Sequence, residues 1–174
     1  MLPIPKHLQD IFITVGENNN EFQASGLIRC VCGCENFRIK TFADTDSGDI
    51  RIQEYKDDYA LVIKANCKNC DKEYLIYDGS RHGWNGFVCC DGVTAPDEKL
   101  SDWVCSKCGC DNHGMNALIR SQGREDFIEE AGIADGDDTF SPDDWTEAFD
   151  SIEIKLKCPA CGYEDNDWFE CETM

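Results

Sequence analysis

Two stretches of this chain alternate apolar and polar residues and end in the same way. Leu61, Ile63, Ala65 and Cys67 occupy every second position before Cys70, and Ile152, Ile154, Leu156 and Cys158 do the same before Cys161. A period of two places one apolar face on a β-strand, so both runs read as strands delivering a cysteine pair. Residues 21–28, 37–42, 50–55, 59–65 and 73–77 read as further strands, with a turn around Asp46-Ser47-Gly48-Asp49. Helical spacing is rarer. Leu8, Ile11, Phe12 and Val15 follow Pro5 and predict a short amphipathic helix over residues 5–15, ended by Asn18-Asn19-Asn20. Residues 125–131 suit a helix, and Ser141-Pro142-Asp143-Asp144 supplies the cap, first-turn proline and early acids of another running to Phe149. Residues 132–139 between them read as a loop.

The cysteines turn these strands into a repeat. Cys30-Val-Cys32-Gly-Cys34 leads to Cys67-Lys-Asn-Cys70, and Cys105-Ser-Lys-Cys108-Gly-Cys110 leads to Cys158-Pro-Ala-Cys161. Two closely spaced cysteines can reach one ion about 2.3 Å from each sulfur, and a second such turn completes a tetrahedron. Cys105, Cys108, Cys158 and Cys161 meet that requirement directly, and the expected first set is Cys30, Cys32, Cys67 and Cys70, with Cys34 an alternative to Cys30. The expected cofactor is therefore zinc, two ions per chain. Thirteen cysteines without a secretory signal point to metal ligands in a reducing cytoplasm rather than to disulfides. Cys34, Cys110, Cys89, Cys90 and Cys171 are expected as small buried apolar side chains, and His113 as a surface residue or one standing behind the ligands.

The knuckle pairs and the strands entering them resemble the zinc-ribbon group, and the arrangement is similar to bacterial proteins with a CxCG knuckle. The resemblance implies an α+β, β-rich fold of two zinc-ribbon-like lobes with an N-terminal helix and a short helical acidic insert. The first lobe would span residues 1–96 and the second 97–174, with the insert at 125–150. Separations of 34 residues between Cys32 and Cys67, and 49 between Cys108 and Cys158, imply elaborated rather than minimal ribbons.

Charge narrows the functional classes. The net charge is −19, with −5 on residues 1–99 and −14 on residues 100–174. Residues 125–150 hold 11 acids and no Lys or Arg. Such a surface repels phosphate backbones and attracts cationic surfaces. The expected function is a non-enzymatic, protein-binding role toward a basic protein, as an adaptor or an immunity-type inhibitor. Phe127, Trp145 and Phe149 would be apolar anchors in the insert. Nucleic-acid binding would instead need Arg29, Arg38, Lys40, Lys64, Lys68 and Lys72 to form a patch near the first site. Enzymatic function would need a pocket of convergent polar groups. Four-thiolate sites leave no open metal position, no histidine has Glu two residues later as a zinc deaminase requires, and the acids after Cys161 are expected to raise the thiol pKa values of the Cys158/Cys161 pair. Asp135–Thr139 and Asp44–Gly48 lack the calcium-loop glycine and glutamate. The loop His82-Gly83-Trp84-Asn85-Gly86-Phe87 is expected to close over the first lobe's core through Trp84, or else to present a binding hot spot. No apolar run approaches the roughly 20 residues of a membrane span.

Overall fold

The computed structural model describes residues 1–41 and 59–174. The expected turn at 46–49, the strand at 50–55 and the Asp44–Gly48 segment lie outside the described residues. β1 (Phe12–Thr14), β2 (Gln23–Ile28), β9 (Gly114–Arg120), β10 (Ser151–Lys157) and β11 (Glu164–Glu172) form one antiparallel sheet in the order β1-β2-β9-β10-β11. β3 (Phe37–Thr41), β5 (Val62–Cys67), β6 (Glu73–Asp78) and β8 (Ser101–Asp102) form a second, in the order β6-β5-β3-β8. β4 (Tyr59–Ala60) and β7 (Val93–Thr94) make a short parallel pair. The result is β-rich, as the alternating runs require: β2 and β3 show strict buried–intermediate alternation, and β9 and β10 bury Met115, Ala117, Ile119, Ile152, Ile154 and Leu156.

Both sheets cross the boundary expected at residue 96. β2 pairs with β9, Ala24 opposite Ile119, and β8 pairs with β3. A single core unites them, with Ala24, Ile28, Ile119, Ile154 and Phe169 from the first sheet and Phe37, Ile39, Ile63 and Ile76 from the second. The chain around that boundary carries β7, a 3-10 turn at Asp97–Lys99 and β8, each tied into place.

The N-terminus corrects the expected helix. Only Lys6–Leu8 turns, as a 3-10 helix, and residues 12–14 are the edge strand β1. Leu8, Ile11 and Phe12 are buried as a helical face would have them, but Ile13 and Val15 point outward. The β-branched run Ile13-Thr14-Val15 favours extended backbone, and β2 offers Ile28 opposite Phe12 as a pairing partner. Gly26 leaves the space that the Phe12 ring occupies.

The acidic insert is helical in short pieces: α1 (Arg124–Glu130), a 3-10 turn at Ile133–Asp135 within the expected loop, and another at Pro142–Thr146. Ser141 and Asp144 form a reciprocal capping box, and Lys6 reaches Asp144 at 2.7 Å, so Asp144 is structural. The expected anchors are not available to a partner. Phe127, Trp145 and Phe149 are all buried at 2% exposure or less. Phe127 and Trp145 make a second small core with Ala148, against which Trp84, Phe87 and Phe140 pack. Trp84 is therefore a lid, but on the insert's core rather than on the one between the sheets.

His82 shows how the His82–Phe87 loop is held. Its ring stacks on His7 at 3.9 Å and 6°, and its Nδ1 accepts the Asp78 N–H at 3.0 Å. The Asp78 carboxylate is buried and accepts from Ser80 and Thr94. Gly83, at φ 72°, lies so close to Thr173 that a side chain has no room. Burial pulls the His82 pKa down to about 3, with the nearby His7 and Arg81 adding to it. Below the usual 6.5 the unfolded chain then binds a proton that the folded chain does not, so acidification removes about 1.4 kcal/mol of stability per pH unit through this group alone. The His82 ring resonances should stay fixed between about pH 8 and pH 5 in an NMR titration; a midpoint near the ordinary histidine value would mean the ring is solvated.

Candidate metal centres

Each cysteine tetrad joins a knuckle where the chain crosses between the sheets to a knuckle in a hairpin within one of them. Cys30 and Cys32 lie between β2 and β3, and Cys67 and Cys70 sit at the β5–β6 hairpin. Cys105 and Cys108 lie between β8 and β9, and Cys158 and Cys161 in the β10–β11 hairpin. The turns are built alike. The Cys30 N–H donates to the Cys34 carbonyl and the Cys105 N–H to the Cys110 carbonyl, both at 2.8 Å. In the hairpins, the Cys67 N–H donates to the Lys72 carbonyl at 2.9 Å and the Cys158 N–H to the Tyr163 carbonyl at 2.8 Å. Gly109, at φ 73°, takes the left-handed turn that a side chain would strain.

The sulfurs of Cys30, Cys32, Cys67 and Cys70 lie within 4.8 Å of one another, as do those of Cys105, Cys108, Cys158 and Cys161. Among the described residues these are the groups able to hold a metal ion. Cys30 and Cys70 are 3.5 Å apart, Cys32 and Cys67 3.5 Å, Cys105 and Cys161 3.7 Å, and Cys108 and Cys158 3.6 Å. A zinc tetrahedron with bonds of about 2.3 Å has edges of about 3.8 Å, so the donor sets fit zinc in number, chemistry and size. In both tetrads the first cysteine of each pair is buried and the second exposed.

Cys30, not Cys34, stands in the first tetrad. Cys34 and Cys110 occupy equivalent places just outside, with Cys34 bonded to the backbone of Asn36 and Cys110 to that of Asn112. Cys89 and Cys90 are exposed rather than buried, correcting that expectation. His113 is also no surface residue: it is 2% exposed, its backbone pairs with Phe37, and both ring nitrogens lack partners. The 3.0 and 2.9 Å bonds with Phe37 draw it inward beside Cys105 and Cys158.

Surrounding groups tune the sulfurs. The Asn69 amide, followed by backbone N–H groups, holds the Cys32 thiol down at about 6, while burial pushes Cys67 up to about 12. Burial also raises Cys158, but the N–H groups of Cys161 and Ala160 and the neighbouring thiols outweigh it and bring it to about 6. The expectation of raised values for the Cys158/Cys161 pair therefore fails at Cys158 and holds in direction at Cys161, which, against the Tyr163 N–H, burial and the thiols of Cys158 and Cys105 push up. The Tyr74 hydroxyl stands 3.2 Å from Cys30 Sγ.

Five of the six cations expected near the first site are engaged. Arg29 meets Glu35 at 2.7 Å, Lys64 meets Asp97 at 2.7 Å, and Lys72 lies over the Tyr74 ring. Arg38 and Lys68 both bond Asp111, each at 3.2 Å, which links the hairpin knuckle of one tetrad to the loop following the other. Lys68 and then Arg38 hold the Asp111 carboxyl below its usual range.

No family model, curated protein or solved structure matches the chain.

Elemental analysis of protein prepared under reducing conditions should find two zinc ions per chain. Cys161→Ser should remove one, whereas Cys110→Ser and Cys34→Ser should keep both; retention of both ions by Cys161→Ser would mean the tetrad is wrongly composed.

Proton release offers a second measurement. Cys67 and Cys108 are pushed up to about 12, and Cys70 and Cys161 are raised above their usual value, so all four carry protons at neutral pH without metal. Zinc must displace them, and calorimetry in buffers of different ionisation enthalpy should show about two or more protons released per site, with affinity rising with pH. Release of none would exclude thiolate ligation.

Proposed function

We propose that this protein is a non-enzymatic, zinc-pinned interaction module of the cytoplasm that binds a basic protein, as an adaptor or an immunity-type inhibitor. The observation that carries the reading is the outward charge of the insert. Glu125, Glu129, Asp135 and Asp138 are exposed on it with no basic residue between residues 125 and 150, while the cations near the first tetrad are largely engaged by Glu35, Asp97 and Asp111. A surface of this kind accelerates encounter with a cationic partner and repels nucleic acid. The closed tetrads support a structural role for the metal, since four thiolates leave no position for water or substrate. No helix among the described residues is long and apolar enough to cross a membrane.

The four acids chosen for the test take no part in caps, unlike Asp144. Replacing them together, as Glu125→Gln, Glu129→Gln, Asp135→Asn and Asp138→Asn, should slow association with a lysine- and arginine-rich peptide by about fivefold or more at low salt, with zinc content and melting temperature unchanged. Association unaltered by the change, or tighter binding of a random DNA duplex than of the peptide, would defeat the reading.

A further inference from the structure

A cavity of about 500 Å³ lies between the turn that follows His82 and the end of β11. The turn, Trp84–Val88, is a π-helix, a rare conformation found often at functional sites. Tyr77, His82, Asn85, Asp91, Cys171 and Glu172 contribute to the wall, whose described residues include two carboxylates and no Lys or Arg. A cavity so lined favours a cation. His82 adds a second demand of a different kind. The residue is 7% exposed, and because its Nδ1 accepts from the Asp78 N–H, the neutral ring carries its proton on Nε2. That Nε2–H makes no hydrogen bond among the described residues, and His82 lines the cavity, so the donor is open to a ligand there.

The other wall groups narrow the chemistry. Cys171 lies 3.2 Å from the Tyr77 hydroxyl, and burial pushes its thiol up, so it is a protonated neighbour rather than a nucleophile. The wall is no third metal centre, since only the two cysteine tetrads gather three or more ligand atoms within 4.8 Å among the described residues. What remains is one fixed donor beside two exposed carboxylates, a setting for a ligand carrying a cation and, near it, a carbonyl oxygen. A basic residue within a polypeptide has both.

We propose that this cavity receives an arginine or lysine residue of a partner polypeptide, Asp91 and Glu172 meeting the side-chain cation and the His82 Nε2–H meeting a backbone carbonyl. The proposal rests on the reading that the partner is basic, and it places the specific contact away from the insert. The insert then steers by charge, and the cavity selects by shape. Gly92 and Asn85 border the cavity, so their amide signals report occupancy directly.

The test is an NMR titration of the zinc-loaded full chain with three probes: N-acetyl-arginine-N-methylamide, agmatine and N-acetyl-glutamate-N-methylamide. The arginine probe should shift the Gly92 and Asn85 amides and saturate at about 1 mM or tighter, agmatine should bind at least about fivefold more weakly for want of the carbonyl, and the glutamate probe should not saturate. Asp91→Asn with Glu172→Gln should weaken the arginine probe by about tenfold or more without changing zinc content or melting temperature. The insert variant with four neutralised acids should bind it as before. Equal binding of agmatine would overturn the peptide assignment, and equal binding of the glutamate probe, or indifference to the double variant, would overturn the cavity. If the basic peptide of the association test still binds that double variant at an unaltered rate while the arginine probe shows no saturation, the cavity proposal falls and the reading of a basic partner stands.

Discussion

Four thiols held within 4.8 Å of each other cannot all ionise unless a cation sits among them, and that single electrostatic constraint organises the rest of the molecule. Each tetrad takes one pair of sulfurs from a crossing between sheets and the other from a hairpin, so closing it fixes the angle at which the chain leaves one sheet for the other. The core between the sheets is made of modest aliphatic side chains such as Ala24, Ala65 and Ala117 alongside Ile and Phe. An ion closing either tetrad would restrain the same layers that those side chains fill.

The alternating runs before Cys67 and Cys158 made two of the strands and their cysteine pairs legible, because a period of two and a paired ligand are both local signals. Sheet membership was not legible, since nothing near β2 announces that its partner is β9. The helix expected over residues 5–15 failed for a related reason: Leu8, Ile11 and Phe12 are buried equally well by one 3-10 turn followed by an edge strand, and only the presence of β2 decides between them. Phe127, Trp145 and Phe149 show the same limit from the other side. An aromatic among acids looks like an exposed anchor until the fold supplies Trp84 and Phe140 to cover Phe127 and Trp145, and the main core to take Phe149.

Charge divides into two populations. Some acids are consumed locally: Asp144 in its capping box and with Lys6, Asp111 with Arg38 and Lys68, Asp78 by three donors around the His82 loop. The ion pairs of Asp111 and Asp144, which reach solvent, contribute little each, about 1 kcal/mol or less, so their effect is one of register rather than of bulk stability. The remainder face solvent and set the long-range field. The sequence states the sum of both populations, and only the fold separates them.

The pairing of β2 with β9 has a consequence for how the chain is made. Residues 23–28 leave the ribosome long before residues 114–120 exist to cover their edge, and an uncovered edge is where chains join one another wrongly. All four ligands of the first tetrad, by contrast, have been synthesised by residue 70. An ion held there would tether the early strands while they wait, a temporary guardian of an unfinished sheet as well as a lasting part of the finished one.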